Sequence, residues 1–263
     1  MTASFKSAEF VVSAQGRFAT ASLPLDTPAC ELCRGRGERL VEVNGNMCVA
    51  RCRCQKMPDR IALFNQAQIP ARHAKASFES FDKDLPDAMT GFLGAYRWVK
   101  GFKIGQANRG LVLHGAVGRG KTHLLAAMLR ELVFQHGVKV QFVEFTHLLA
   151  ALKQGFEHGK GQGHTLDPLA DIDVLAIDEL GKGRNTDWEL AVVDELISRR
   201  YNGMKTLLAT TNYAPGVETG AQANLALDGV QQSLGDRVGD RTFSRLMEMV
   251  DFQWVQGEDF RGN

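Results

Sequence analysis

The stretch GLVLHGAVGRGKTHLLAAMLREL, residues 110–132, decides the fold. Leu111 to Leu113 read as a short buried strand, an apolar run closed by a turn. Gly115-x-x-x-x-Gly120-Lys121-Thr122 follows, and then apolar residues at helical spacing. Strand, glycine-rich turn and helix in that order are the context a phosphate-binding loop needs. The loop covers Gly115, Ala116, Val117, Gly118, Arg119, Gly120, Lys121, Thr122 and His123. Its glycines let backbone N–H groups turn inward around a phosphate, and the helix N-terminus adds partial positive charge. Lys121 is placed to reach the β- and γ-phosphates and Thr122 to ligate Mg2+. ATP and Mg2+ are therefore the expected ligands.

Outward from the loop, the partner elements come in order. DIDVLAIDELG, residues 171–181, is an apolar strand ending in Asp178-Glu179. Asp178 at a strand tip can hold Mg2+ through water, and Glu179 is placed to polarise an attacking water, so hydrolysis is expected as well as binding. Thr186 caps the helical pattern of TDWELAVVDELISRRY. Another buried strand, TLLATTN, ends at Asn212, which is expected to orient the lytic water. Strands alternating with helices predict an α/β fold with a parallel sheet and the site at the strands' C-terminal ends. From Ala88 to Lys103, the residues Met89, Phe92, Leu93, Tyr96 and Val99 recur at helical spacing and predict a helix leading into this core.

All five cysteines lie in CELCRGRGERLVEVNGNMCVARCRC, residues 30–54. Cys30 and Cys33 form a C-x-x-C knuckle, and Cys52 and Cys54 a C-x-C pair. Two short pairs joined by a loop are the usual four-ligand Zn2+ arrangement, with no position left open for water, so the metal is expected to be structural. Asn44-Gly45-Asn46 is a hairpin signal between two short apolar runs. A small zinc-binding β-ribbon follows from these features. Cys48 is the odd one: it faces a core, or replaces Cys52 or Cys54 as a ligand. Arg34, Arg36, Arg39, Arg51, Arg53 and Lys56 surround the cluster and suit either a negatively charged partner or plain solvation. The expected boundaries are a flexible lead over 1–28, the zinc domain over 29–60, a linker over 61–87 with a break at Ile69-Pro70, and the nucleotide domain over 88–263. His73 in the linker reads as a surface histidine.

The chain has 263 residues, 44% hydrophobic and 23% charged, with a formal net charge of +1. Nothing in the total charge demands a nucleic-acid or membrane surface, so any DNA contact has to be local. No run approaches the roughly 18 apolar residues of a membrane span. The N-terminus lacks the pattern of a secretory signal. A cytoplasmic location and no membrane partner are expected, with thiols kept reduced and free to bind metal.

The phosphate loop, LAIDELG, LLATTN and GDRVGDRTFSRLMEM together resemble the AAA+ ATPases of the DnaC type, the bacterial replicative-helicase loaders. CELC…RCRC and IPARHAKASFESF resemble the zinc-bearing N-terminal region of the DnaI-like branch. The resemblance implies a replicative DNA helicase as partner, single-stranded DNA as a ligand and a homo-oligomer when ATP is bound. It also implies an arginine that enters the neighbouring subunit's site. By the S-R-L triplet this is Arg245, with Arg237 and Arg241 one helical turn apart and able to share the work. Lys182 and Arg184, after the acidic pair, are candidates for DNA contact. Too few residues follow Asn212 for a full helical lid, and Arg261 resembles a lid arginine. The polar stretch 213–235 is expected to be a mobile loop. A transposition helper of the IstB type, acting on duplex DNA with a transposase, has a nearly identical core but normally a cysteine-free N-terminus. A third class is a nucleotide-gated adaptor with little turnover.

Overall fold

The computed structural model describes residues 10–26, 29–83, 87–157, 163–216 and 232–260. The loop expected over 213–235 and Arg261 fall largely or wholly outside them. Residues 10–22 depart from the flexible lead expected over 1–28. Strands β1 (Val11–Gln15) and β2 (Phe18–Ser22) pair antiparallel, Gln15 opposite Phe18. Gly16, at φ +58°, closes their two-residue loop. The hairpin is held from both sides. Ala19 N donates to Ile69 O at 2.7 Å, Asn65 exchanges two hydrogen bonds with the Ala21 backbone, and Phe10 stacks on Phe134 at 3.7 Å between centroids.

Strands β3 (Glu38–Val43) and β4 (Asn46–Arg51) form a second hairpin. Its two loop residues, Asn44 and Gly45, have φ of 54° and 79°, the turn that matches strand twist and that the Asn-Gly pair favours. A 3-10 turn, Arg53–Gln55, leads into helix α1 (Lys56–Gln66). Here too the expected boundary moves. Instead of opening a linker at 61, α1 docks on the nucleotide domain: Phe64 lies 5.2 Å from Phe134, and Phe142 N donates to Ala67 O at 2.8 Å. Buried Phe64, Ile69, Phe78 and Phe81 belong to the same core as the phosphate-loop helix. Helix α2 (Ala88–Gly101) buries Ala88, Gly91, Phe92, Ala95 and Val99. Met89 and Tyr96 of the expected stripe stay exposed. The stripe turns because small residues allow a close approach: a Cβ on Gly91 would lie 2.8 Å from Val255.

The remaining elements alternate: β5 (Gly110–His114), α3 (Lys121–Glu131), a π-helical turn (Leu132–His136), β6 (Val140–Glu144), α4 (Phe145–Glu157), α5 (Gly163–Asp171), β7 (Val174–Asp178), α6 (Asp187–Asn202), β8 (Thr206–Thr211), α7 (Leu234–Val238), α8 (Asp240–Met249) and β9 (Val250–Trp254). The strands form one parallel sheet in the order β6-β7-β8-β5-β9. Strands β5, β7 and β8 are buried along their whole length, as a sheet covered on both faces requires. Successive side chains take opposite faces. Leu111 and Leu113 join α1, α2 and α3 on one side, whereas Val112 joins α4, α5, α6 and α8 on the other. Thr186 and Glu189 form a reciprocal cap at the start of α6. Among the described residues no helix is long and apolar enough to cross a membrane.

Candidate nucleotide and metal sites

The phosphate loop runs from the tip of β5 into α3 along a path only glycine tolerates. Gly115, Gly118 and Gly120 have φ of 144°, 82° and 76°. A Cβ on Gly115 would lie 2.4 Å from Val255 O, and one on Gly120 2.8 Å from the Phe81 ring. Lys121 folds back over the loop, its Nζ donating to Gly115 O at 2.8 Å and Ala116 O at 2.6 Å. Its cation is thus poised where phosphate oxygens would replace these carbonyls.

Parallel pairing of β7 and β8 brings the acidic pair to this loop. Asp178 Oδ1 accepts from Thr122 Oγ1 at 2.9 Å and from Thr210 Oγ1 at 2.5 Å. Burial, joined by the nearby Glu179 and Glu144 charges, raises the Asp178 pKa against those two hydrogen bonds. A divalent cation would relieve that cost, and Thr122 with Asp178 is an all-oxygen donor set suited to Mg2+. Glu179 leaves the strand with φ +58°, a left-handed conformation that costs about 1 kcal/mol or more in a side-chain-bearing residue. The turn is pinned by β8, with Thr210 Oγ1 accepting from Glu179 N at 3.0 Å and Thr210 O from Leu180 N at 2.8 Å. The two neighbouring acids therefore point apart: Asp178 toward Thr122, and Glu179 toward Lys182 Nζ at 2.6 Å.

A cavity of about 590 Å³ collects these groups, with Val117 through His123, Asp178, Glu179, Thr210 and Asn212 on its wall. The sequence reading missed its aromatic part. Phe81 packs against His123 and Phe260, at 5.5 and 5.2 Å between centroids. Arg72 and His73 also line it, so His73 is not a plain surface histidine. His123 Nε2 lies 3.0 Å from Ser77 O.

The arginines separate. Arg237 and Arg241 do not share a helical face: α7 ends at Val238, and Gly239, at φ 83°, starts a new helix. Arg237 serves its own chain. Its guanidinium donates to Gly181 O at 2.9 Å and to Gly183 O and lies over the Tyr213 ring. Arg245 pairs with Asp194 at 2.6 Å, and Arg241, four residues earlier on α8, is exposed.

His114, at the end of β5, is 8% exposed. Burial and the Lys121 charge lower its pKa from 6.5 to about 4. The unfolded chain takes up this proton first, so stability is lost as pH falls from about 6.5 toward 4. Between pH 7 and pH 5 the loss from this group should be about 2 kcal/mol. Denaturant titrations at the two pH values should show it, and His114→Gln should flatten the difference by that amount.

The cysteines make a second site. The sulfurs of Cys30, Cys33, Cys52 and Cys54 lie within 4.8 Å of one another, with Cys30–Cys52 at 3.8 Å and Cys33–Cys54 at 3.5 Å. Four ligands at about 2.3 Å from a tetrahedral Zn2+ stand about 3.8 Å apart, so the cluster fits this ion. Gly37 N donates to Cys33 Sγ at 3.3 Å. Although burial opposes it, that bond and the neighbouring thiols lower the Cys33 pKa to about 7. Cys48 is exposed on β4, opposite Val41 and outside the cluster.

Fold and loop define a P-loop ATPase of the AAA+ class. The profile of the IstB-like ATP binding protein family matches residues 50–218, and the chain belongs to this family. It is 27% identical to the replicative helicase loader DnaC of Escherichia coli over 73% of this chain and 72% of that protein. It is 32% identical to an insertion-sequence ATP-binding protein of Mycobacterium tuberculosis over 66% of this chain and 67% of that one. The solved DnaC helicase loader structure aligns with a TM-score of 0.59 at 26% identity, covering 70% of this chain and 99% of that chain.

Proposed function

We propose that this protein is an ATP-driven loader that binds the replicative DNA helicase through its cysteine ribbon and helps place it on single-stranded DNA during replication. One observation carries the reading. The ribbon is an exposed head fixed to the ATPase core by α1, and one of its faces carries an exposed apolar cluster edged by Glu38, Glu42 and Arg51. Leu40 and Val49 face each other across the strands at 67% exposure each, with Met47 beside them at 63%. Apolar side chains left this open by a small module mark a contact surface.

In this reading Cys30, Cys33, Cys52 and Cys54 hold a structural Zn2+. Lys121 and the loop N–H groups bind the triphosphate. Thr122 and Asp178 hold Mg2+, which neutralises phosphate charge when bound. Glu179 accepts the proton of the attacking water, and Asn212 orients that water. Arg245, partly exposed on α8, leaves Asp194 to reach a neighbour's ATP in a homo-oligomer, with exposed Arg241 as the second cation on that face. Such a cation is worth roughly three orders of magnitude or more in rate.

The insertion-sequence relative supports a second reading, a helper of transposition on duplex DNA. Capture separates the two. Deleting the whole N-terminal region would strip Phe64 and Ile69 from the core, so point changes are needed. The intact protein should retain the host's replicative helicase on a pull-down, and Leu40→Ser with Val49→Ser should lower retention about tenfold or more with ATP binding unchanged. Retention of a transposase and not the helicase would overturn the loader reading.

A further inference from the structure

We propose that Asp259 is a specificity-determining residue for nucleotide: a fixed negative charge seated on the phosphate loop that weakens binding, and weakens it more for ATP than for ADP. The inference rests on the triphosphate lying in that loop. After β9 the chain runs back along the site. Val255 N donates to His114 O at 2.8 Å, and Phe260 N donates to Gly118 O at 3.0 Å. Between these two ties the tail follows the loop from its first glycine to its middle. Phe260 then packs on Phe81 at 5.2 Å between centroids, the ring that also closes against Gly120.

These ties fix where Asp259 stands. A Cβ on Gly118 would overlap the Asp259 carboxylate, so glycine is needed there for the acid as well as for the φ of 82°. Gly118 and Phe260 line the cavity, whereas Asp259 is not on its wall. The carboxylate therefore leaves the entrance open and acts through its field. The loop attracts phosphate with its N–H groups, the α3 N-terminus and the Lys121 cation. An anion one glycine away offsets part of that attraction. The offset grows with the charge of the ligand, so ATP loses more than ADP. Asp259 is exposed, so salt screens the effect. Nucleotide exchange is the step this serves, because a weaker hold lets product and unreacted ATP leave sooner.

The test is equilibrium binding of ATP and ADP, by displacement of a fluorescent analogue, to the full-length wild type, Asp259→Asn, Asp259→Ala, Glu258→Gln and Lys121→Ala. At about 20 mM salt both Asp259 variants should bind ATP about three- to tenfold tighter than wild type, with a smaller gain for ADP. Near roughly 300 mM salt the gain should shrink to under about twofold. Glu258→Gln removes the exposed acid one residue earlier and should change affinity by less than about twofold. If Asp259→Asn binds ATP no tighter than wild type at low salt, if its gain is equal for ATP and ADP and survives high salt, or if Glu258→Gln gains as much, the charge on the loop is not what sets affinity. ATP binding by Lys121→Ala equal to wild type would instead remove the phosphate-loop reading beneath it.

Discussion

Glu179→Gln is expected to lower ATP turnover by about a hundredfold or more while leaving ATP affinity nearly unchanged. The substitution keeps the shape of the side chain and removes its ability to accept a proton. What positions it survives: the Thr210 hydroxyl accepts from the backbone N–H of residue 179, not from its side chain, and a glutamine oxygen still accepts from Lys182. The phosphate loop is untouched, since Lys121 is held by Gly115 and Ala116 and Thr122 by Asp178. The loss therefore falls on kcat. Steady-state hydrolysis with DNA and helicase present, beside equilibrium binding of a fluorescent ATP analogue, measures the two quantities separately. Turnover equal to wild type would mean that water is activated elsewhere.

The site was legible where chemistry forces a local pattern. A loop that turns its N–H groups inward needs Gly115 and Gly120, and a buried parallel strand needs an unbroken apolar run, as β7 and β8 have. It was not legible where partners are distant in sequence. Nothing near Ala19 and Ala21 announces a strand, because these small residues are buried against α1 and the residues that follow it. Phe10 is fixed by Phe134, far along the chain. Thr210 reads as one more residue of a buried strand, yet it supports both Asp178 and the Glu179 turn. Arg237 and Arg241 share a helical spacing in sequence, and only the backbone at Gly239 sends one to its own chain's loop and the other to solvent.

Loss of zinc is expected to unfold the ribbon while leaving the nucleotide domain intact. Between residues 29 and 52 the buried positions are Cys33, Gly37 and Cys52. Leu40, Val43, Met47 and Val49 are all exposed, so the hairpin has no apolar core to offset its chain entropy. A structural Zn2+ in small modules supplies about 10–16 kcal/mol of apparent binding energy at neutral pH, ample for a segment of this size. Cys33→Ser or a strong chelator should therefore abolish bound zinc and collapse the ribbon's amide signals. The signals of β5, β7 and β8 should persist, because their packing runs through α1, α2, α3 and the helices on the other face. ATP binding should survive, and helicase capture should not. Cys48→Ser, altering an exposed thiol outside the cluster, should keep its zinc and its capture. Equal loss of zinc from Cys48→Ser and Cys33→Ser would reassign the fourth ligand, and zinc retained by Cys33→Ser would remove the four-thiolate site altogether.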